Sequence, residues 1–506
     1  MATPPEPLAI TAARVVTQGG VLQNATLVTD GARILHVTRN EPANGPTHLR
    51  FEDATLLPGF IDVHVHGGGG WRVGAGTDLL NRPDAAPAPL VNMSRFMATT
   101  GVTGFLPTLS TASKEEMLAT VTSVARLVGQ DLPGADVLGT HLEGPYLNVA
   151  KKGAQREEFI RPPDRAEFLE VWQAAQGTAR YVTLAPELDG AAEFIEWLTG
   201  LGVFVSAGHT DALASHMERA YAAGLQGVTH LFNAMRGLHH REPGVAGWAL
   251  AHDRVWVELI SDGVHVHPTA MRLALRAVGA DRLAAITDAG AFTGLPDGVY
   301  DEGYRTVTVR QGVCTLEDGT LAESMSPMNR NCMVLLNDVG ATWPEVASMT
   351  SLVPATMLGL QERRGSLTPG KDADLTVLGP EGEVLLTTVR GRVVHRAEVL
   401  TSPEHRPTDR VRSAPCVCIC RVIRLRILAS VYSQQYTPCS NAAWRRSITR
   451  TRFRTDVQCP PRREPSPPPE APVAGGPPRP GGVRGVARGA LRIRQERAGQ
   501  PVGVGA

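Results

Sequence analysis

The sequence predicts an α/β fold with three parts: a closed (β/α)8, TIM-like barrel, a small β-sandwich domain built from both flanks of the barrel, and a disordered C-terminal tail. Short apolar strands alternate with helical stretches between residues 57 and 290. Strand-like segments flank this region, and the composition changes near residue 400. We expect domain limits of 1–56 and 365–400 for the sandwich, 57–364 for the barrel and 401–506 for the tail.

The barrel is predicted by eight short apolar strands: GFIDVHVH, GVTGFLPTLS, DVLGTHLEG, RYVTLAPE, GVFVSAGHT, GVTHLFNAM, VWVELISDG and LAAITDAG. Helix-like runs such as KEEMLATVTSVARLVG and PTAMRLALRAVGA lie between them. Alternation of strands and helices predicts a parallel sheet, and eight such units predict a closed barrel.

The flanks alternate with a strand-like period. Residues 5–56 contain turns at TQGG and TDGARI, and residues 365–400 alternate in the same way around PGKD and PEGE. Because the two flanks leave the barrel at its two chain ends, we expect them to pair into one sandwich.

The tail differs from the body in charge and composition. The formal net charge of the 506 residues is zero, yet residues 401–506 carry 19 Arg, no Lys and 6 acidic residues. Its Pro- and Gly-rich stretches lack apolar periodicity, which predicts disorder. The CVCIC stretch has no partner cluster and is a weak metal-site candidate. We favour a functionless extension over nonspecific nucleic-acid binding, and we expect no nucleic-acid partner.

Cysteine usage and apolar run lengths predict a cytoplasmic protein. Only Cys314 and Cys332 lie outside the tail, which leaves no disulfide framework. No run of about 18 apolar residues is present, so no membrane span is expected. The start, MATPPEPLAI, does not resemble a secretory signal.

The stretch LLPGFIDVHVHGGGG ends the first predicted strand with two histidines. Because residues i and i+2 of a strand share a face, His64 and His66 should point the same way, with Ile61, Val63 and Val65 on the other face. The glycines leave the space above the imidazoles open. The pair is therefore a candidate for the start of a metal site, the alternative being two ordinary half-buried histidines.

Six ligand-type side chains fall at the C-terminal ends of predicted strands. In a parallel barrel these ends converge on one rim, where loops build the active site. The six residues are His64, His66, Glu143, His209, His230 and Asp288.

At this point the sequence resembles the amidohydrolase superfamily and, within it, the N-acetylglucosamine-6-phosphate deacetylases. The resemblance covers residues 8–396, and it implies the barrel with its β-sandwich. Its markers are PGFIDVHVHG, HLEGPYLNVAKKGAQ, SAGHTDA, THLFNAM, REPGVAG, SDGVHVHP, ITDAGAFTGLPDGVY and GSLTPGKDADLTVL.

The resemblance implies a metal-dependent amide hydrolase that removes acetate from N-acetylglucosamine 6-phosphate. Glu143, His209 and His230 match its principal metal ligands, and His64 and His66 match a position that can hold a second metal. One or two divalent metals per subunit are therefore expected. Mixed histidine and carboxylate ligands suit Zn²⁺, Fe²⁺, Mn²⁺ or Co²⁺.

The resemblance also implies a catalytic acid/base, Asp288, and a homodimer whose Arg241 serves the neighbouring subunit. Gln155 stands where many members have histidine. The positions that match substrate contacts are Ala154, Gln155, Asn233, Ala234, Arg241, His265, Leu321 and Ala322.

Two departures from the family pattern are present. LAESMSPMNRN has Glu323 where glycine is usual, and VPATMLGL has Val353 where asparagine is usual. The first departure puts the fit of the substrate loop in doubt more than the chemistry.

Two alternative functions remain open at this stage. A hydantoinase- or dihydroorotase-like enzyme would often bridge two metals with a carboxylated lysine at the end of the fourth strand, but YVTLAPE contains no lysine. A non-catalytic relative would have lost ligands, whereas this chain keeps them.

Overall fold

The computed structural model describes residues 5–39, 47–74 and 87–398. The predicted tail lies outside the described residues. No helix within the described ranges is long and apolar enough to cross a bilayer.

Strands and helices alternate along most of the chain. The strands are β1 (Leu8–Thr17), β2 (Gly20–Thr29), β3 (Ile34–Thr38), β4 (Thr47–Pro58), β5 (Phe60–Val65), β6 (Gly67–Gly68), β7 (Trp71–Arg72), β8 (Val102–Leu109), β9 (Asp136–Val137), β10 (Thr140–Glu143), β11 (Ala179–Leu184), β12 (Phe204–Ala207), β13 (Gly227–Val228), β14 (Trp256–Ile260), β15 (Leu283–Ile286), β16 (Gly298–Asp301), β17 (Thr306–Arg310), β18 (Val313–Thr315), β19 (Leu321–Ser324), β20 (Leu375–Leu378), β21 (Val384–Val389) and β22 (Arg392–Arg396). The helices are α1 (Pro87–Thr99), α2 (Lys114–Ala125), α3 (Arg165–Ala174), α4 (Ala191–Gly200), α5 (Ala214–Ala222), α6 (Gly244–Ala251), α7 (Pro268–Val278), α8 (Met328–Val334), α9 (Trp343–Ala347) and α10 (Val353–Met357). Short 3-10 turns cover Val149–Lys151 and Glu157–Phe159, and π-helical turns cover Leu335–Val339 and Ser348–Leu352.

The barrel consists of eight parallel strands in the order β5, β8, β10, β11, β12, β13, β14 and β15, with β9 paired beside β8. It closes between its first and last strands: the Asp288 amide donates to the His64 carbonyl at 3.0 Å, and Val65 forms a parallel bridge with Ala289. The predicted closed barrel is therefore confirmed, and each of its strands corresponds to a predicted one.

The barrel interior is filled below the rim. Leu106, Tyr181 and Phe204 pack there with Val353 and Met357 from α10, which covers the end of the barrel opposite the rim. Val353 is only 2% exposed and belongs to this apolar cluster inside the barrel. The unusual valine of the VPATMLGL motif therefore lies among packed apolar side chains, and the rim at the C-terminal ends of the strands carries the functional groups.

Strand β5 does not follow the simple alternation that the sequence predicts. Ile61 and Val63 pack in the interior cluster, whereas Val65 packs in the outer cluster between the strands and helices. The pairing register of β5 with β8 shifts between Asp62 and Val65. Because one extra residue in a strand reverses the faces of those that follow, the prediction that Ile61, Val63 and Val65 share a face was wrong.

The two flanks of the chain form one hydrogen-bonded sheet of seven strands, in the order β22-β21-β20-β4-β1-β2-β3. Strand β4 joins the flanks because it pairs parallel with β1 and antiparallel with β20. This sheet has a hydrophobic core separate from that of the barrel. Its members include Ile10, Leu27, Leu56, Leu375 and Leu386. The predicted β domain built from both flanks is confirmed. Its limits remain a prediction, and β4 continues to Pro58.

A four-stranded antiparallel sheet of β16–β19 follows the last barrel strand, and the sequence analysis did not predict it. Val307, Val309 and Cys314 form its small buried face. The sheet joins the rim through Ser324, whose amide donates to the Asp288 carbonyl at 3.0 Å. This junction carries the end of β19 to the mouth of the barrel.

A buried ion cluster links the β domain to the barrel. The Arg364 side chain is 6% exposed and contacts Asp136 of β9. Its Nε lies 3.3 Å from Asp374 and 3.7 Å from Asp372. The Arg364 guanidinium therefore contacts three buried carboxylates at the junction, of which Asp136 also pairs with Arg390 and Asp372 also pairs with Arg33 and Arg363.

We predict that Arg364→Met lowers the free energy of unfolding by about 3–5 kcal/mol, because buried Asp374 loses its ion-pair partner and Asp136 and Asp372 each lose one of theirs. Urea denaturation at neutral pH measures this. Arg363→Met is the matched control: its side chain is 56% exposed and lies 3.0 Å from Asp372, so we expect a loss below about 1 kcal/mol. Equal losses in the two variants would contradict the proposed link.

Candidate active site

The rim brings together the six side chains that the strand ends predict. Three of the six, His209, His230 and Asp288, lie just past their strands with φ of 48°, 32° and 50°. Left-handed backbone is costly for residues other than glycine, and such strain persists where the surrounding structure holds it, often at functional sites. The six residues are His64, His66, Glu143, His209, His230 and Asp288.

A first ligand group consists of Glu143, His209 and His230, all buried. Glu143 Oε1 lies 3.1 Å from Nε2 of His209 and 3.1 Å from Nε2 of His230. His209 Nδ1 is 3.0 Å from the carbonyl oxygen of Lys151, which favours the tautomer that donates from Nδ1. That tautomer leaves the Nε2 lone pair directed at the site.

A second ligand group consists of His64, His66 and Asp288. Asp288 Oδ1 lies 3.4 Å from His64 Nε2 and 3.2 Å from His66 Nε2. His66 Nδ1 is 3.0 Å from the Thr108 carbonyl oxygen. As at His209, donation from Nδ1 leaves Nε2 available as a ligand.

Glu143 lies between the two groups. Its Oε1 is 3.3 Å from His64 Nε2, and its Oε2 is 3.3 Å from His66 Nε2. Gln155 Nε2 donates to Oε2 at 2.5 Å, while Gln155 Oε1 accepts from the Thr111 amide at 2.7 Å. The carboxylate is therefore held so that Oε1 contacts both groups and Oε2 contacts the second group. Imidazole nitrogens and carboxylate oxygens at this spacing fit one or two divalent transition metals.

The electrostatics of the site favour a bound cation. Burial raises the pKa of Glu143, but His64 and His209 outweigh this and hold it well below its usual range. The pKa of Asp288 is likewise raised by burial and lowered further by His64 and His66. Both carboxyl groups are thus ionised. For His66, burial lowers the pKa, but hydrogen bonds to Asp288 and Glu143 raise it to about 9.

Glu258, a fully buried carboxylate on β14, was not predicted from the sequence. Its Oε2 lies 3.0 Å from His64 Nδ1 and accepts from the His230 amide at 3.3 Å. Glu258 therefore orients one ligand of each group. The available signal was an acidic residue within the apolar strand VWVELISDG, because a charge in a buried strand needs a partner.

His141 is a second buried residue that the sequence analysis did not single out. Its Nε2 is 2.8 Å from Thr183 Oγ1, and its Nδ1 is 3.1 Å from the Val63 carbonyl oxygen. Burial and the charge of nearby His64 hold its pKa well below the usual value. His141 is thus a neutral hydrogen-bonded residue beneath the ligands.

A cavity of about 280 Å³ opens above the ligand groups. His265 lies on its wall, and its Nδ1 is 2.7 Å from Asp262 Oδ2. Arg241 is exposed and does not line this cavity; its guanidinium lies 3.1 Å from His240. The predicted substrate residues that do line it are Ala154, Gln155, Asn233, Ala234, His265, Leu321 and Ala322.

One wall of the cavity carries charged side chains that the sequence analysis did not assign to the site. Arg72, Arg305 and Glu323 line it. Arg305 donates to the Ala154 carbonyl at 3.0 Å. Both arginines contact Glu302, which lies behind them. The wall is built by β7 and by the β16–β19 sheet, so its charges could not be placed before that sheet was known.

Comparison with known proteins identifies relatives that share one family and one type of reaction, the deacetylation of an amino-sugar phosphate. The amidohydrolase family pattern matches residues 55–394. The chain is 39% identical to an N-acetylglucosamine-6-phosphate deacetylase of Bacillus subtilis (strain 168), over 77% of this chain and 97% of the relative. It is 38% identical to an N-acetylgalactosamine-6-phosphate deacetylase of Escherichia coli O157:H7, over 76% and 98%.

Solved structures agree with these relatives. N-acetyl-D-glucosamine-6-phosphate deacetylase from Mycobacterium smegmatis has a TM-score of 0.70 and 35% identity, covering 77% of this chain and 100% of that one. A mutant of that protein in complex with N-acetyl-D-glucosamine-6-phosphate has a TM-score of 0.71 and 34% identity, covering 77% and 99%.

We predict that the double variant His64→Asn, His66→Asn binds less metal than the wild type, because it loses two of the three ligands of the second group. Elemental analysis of purified protein measures this. The matched control, His239→Asn with His240→Asn, removes an exposed histidine pair and should keep the wild-type metal content. Equal content in all three proteins would count against a metal-binding role for His64 and His66.

Proposed function

Because the chain belongs to the amidohydrolase family, among the N-acetylglucosamine-6-phosphate deacetylases, we propose that it hydrolyses N-acetylglucosamine 6-phosphate to acetate and glucosamine 6-phosphate. The observation that carries this proposal is one rim on which Glu143 stands between two ligand groups at the floor of a cavity. The relatives act on N-acetylated amino-sugar phosphates by name, and the cavity walls supply polar contacts for such a molecule.

One or two divalent metals would bind at the rim. Glu143, His209 and His230 would hold the first, and His64 and His66 would hold a second or complete a single site. Such a metal supplies a Lewis acid that polarises the amide carbonyl and makes water a better nucleophile near neutral pH. The donor set suits Zn²⁺, Fe²⁺, Mn²⁺ or Co²⁺.

Asp288 moves the proton. Its carboxylate lines the cavity, and its low pKa means that it is ionised before the reaction begins. It accepts the proton of the attacking water and then delivers it to the departing nitrogen, because an amine leaves more easily when protonated. The Asp288 amide donates to the His64 carbonyl at 3.0 Å, which fixes the backbone that carries this carboxylate.

His265 positions the substrate from the cavity wall. Asp262 fixes the imidazole through the 2.7 Å contact at Nδ1, so that the ring stays on the cavity wall and binds the sugar or the developing oxyanion. Asn233 and Ala234 also line the cavity and would contact the phosphate.

The fourth barrel strand argues against a hydantoinase- or dihydroorotase-like reaction. Many such enzymes use a carboxylated lysine at its end. Here β11 ends at Leu184 and is followed by APE. Glu143 provides the carboxylate between the two ligand groups instead.

Arg241 completes the phosphate site of a neighbouring subunit in a homodimer. Its exposed guanidinium lies outside the cavity of its own chain, which is the arrangement expected of a residue that acts across an interface. A planar guanidinium binds a phosphate with two charge-assisted hydrogen bonds.

We predict that Asp288→Asn lowers turnover at least about a hundredfold, the scale of general acid–base catalysis, while the fold is kept. Acetate release from N-acetylglucosamine 6-phosphate is measured with metal-stripped and metal-restored protein. The matched control is Asp297→Asn, which changes an exposed aspartate outside the cavity and should keep wild-type turnover. Near-normal turnover of Asp288→Asn would refute its role as acid/base.

We predict that Arg241→Ala raises KM for N-acetylglucosamine 6-phosphate by at least about thirtyfold, since losing one partner of a charged contact costs about 2–5 kcal/mol. Hydrolysis of unphosphorylated N-acetylglucosamine should barely change. Arg254→Ala, another exposed arginine, should leave both reactions at the wild-type level.

A mixture of subunits tests whether Arg241 acts across the interface. Arg241→Ala and Asp288→Asn subunits are refolded together. If Arg241 serves its neighbour, mixed dimers regain one site with both residues intact, and low-KM activity returns. No recovery would place Arg241 outside the neighbour's site.

A further inference from the structure

Glu323 is a carboxylate on the cavity wall that the proposed chemistry does not use. It lines the cavity together with Asp288 and His66, and its side chain is 3% exposed. Within the described part of the chain, its Oε1 has no hydrogen-bond partner. Its Oε2 lies 3.9 Å from Arg305 Nη2, beyond hydrogen-bond distance.

The backbone around Glu323 fixes this carboxylate beside the catalytic loop. The next residue, Ser324, bridges to Ala289 and donates to the Asp288 carbonyl at 3.0 Å. The carboxylate also rests on Gly290, where a Cβ would lie 1.6 Å from the Glu323 Cδ. Glycine at this position is therefore required to make room for the glutamate, which ends up close to the reacting groups.

The long 3.9 Å ion pair with Arg305 leaves the hydrogen-bonding capacity of Glu323 unfilled. Arg72 and Arg305 both contact Glu302, a buried carboxylate that does not line the cavity. Glu323 makes no hydrogen bond to either arginine. A buried carboxylate oxygen without a donor is costly, and the open side of this group is the cavity itself.

The chemistry of the ligand follows from these contacts. A carboxylate accepts hydrogen bonds from hydroxyl groups and repels a phosphate. An amino-sugar phosphate carries ring hydroxyls at C1, C3 and C4 that can donate. The Glu323 carboxylate itself therefore suits a ring hydroxyl of the sugar rather than its 6-phosphate.

We propose that Glu323 is a specificity-determining residue that accepts a hydrogen bond from a ring hydroxyl of the bound amino sugar. The proposal rests on the proposed function. It gives a role to the glutamate that departs from the family pattern, and it predicts that this hydroxyl contact is lost when the position is returned to glycine.

The test compares kcat/KM of the full-length, metal-loaded protein for N-acetylglucosamine 6-phosphate and for its 1-deoxy, 3-deoxy and 4-deoxy analogues. The wild type should lose about tenfold to a hundredfold on one analogue, the scale of a hydrogen bond to a charged group. Glu323→Gly should lose a similar factor on the parent sugar and no longer distinguish that analogue from it. Because each ratio is taken within one preparation, an inactive fraction of a variant cancels.

Glu302→Gln is the matched control. It removes a carboxylate of the same charged wall that does not face the cavity, so any change in its activity should be equal for the parent and all analogues. The proposal would be overturned if Glu323→Gly distinguished the parent sugar from the deoxy analogues by the same kcat/KM ratios as the wild type. A wild type that hydrolyses all three analogues as well as the parent would also overturn it. Absence of acetate release from every amino-sugar phosphate by the wild type would instead overturn the proposed function itself.

Discussion

The barrel closes at a short seam, where the Asp288 amide donates to the His64 carbonyl at 3.0 Å and Val65 pairs with Ala289. Because the backbone carries the side chains, this seam sets the distance between the histidine pair and the aspartate. Glu143 lies across the rim on β10 and meets both. If the seam loosened, His64 and His66 would move away from Asp288 before the first ligand group was disturbed. Closure of the barrel is therefore required for the geometry of the site.

The site places three carboxylates in the protein interior. Glu143 and Glu258 are almost completely buried, and Asp288 is nearly so. Buried like charges destabilise a fold unless cations compensate them. Without a metal, imidazolium protons on His64 and His66 supply that compensation, and a bound divalent metal takes their place, because a ligating imidazole is neutral. Metal binding is therefore expected to stabilise the folded chain as well as to activate it.

The features that could be predicted from the sequence are those that depend on a local pattern of residues, namely the barrel strands and the polar residues at their ends. Strand–helix alternation predicted the barrel, and the positions of Glu143, His209 and Asp288 at strand ends placed them on one rim before their contacts were known. The sequence could not predict pairings between distant residues. Glu258 meets His64 across 194 positions of sequence, and the faces of β5 follow a register shift that depends on β8. The charged cavity wall depends on the β16–β19 sheet, whose strands follow one another without helices and so fall outside the strand–helix alternation that predicted the barrel.

The seven-stranded sheet has a consequence for synthesis of the chain. Strand β4 pairs on one side with β1 and on the other with β20, which follows it by more than three hundred residues. During translation β1–β4 are synthesised first, and the edge of β4 that pairs with β20 stays unpaired until the whole barrel has been synthesised. Such an edge can capture another nascent chain. The last pairing joins segments of very high sequence separation and should therefore form late. The segments that enter and leave the barrel are therefore hydrogen-bonded to each other only after β20 has paired with β4.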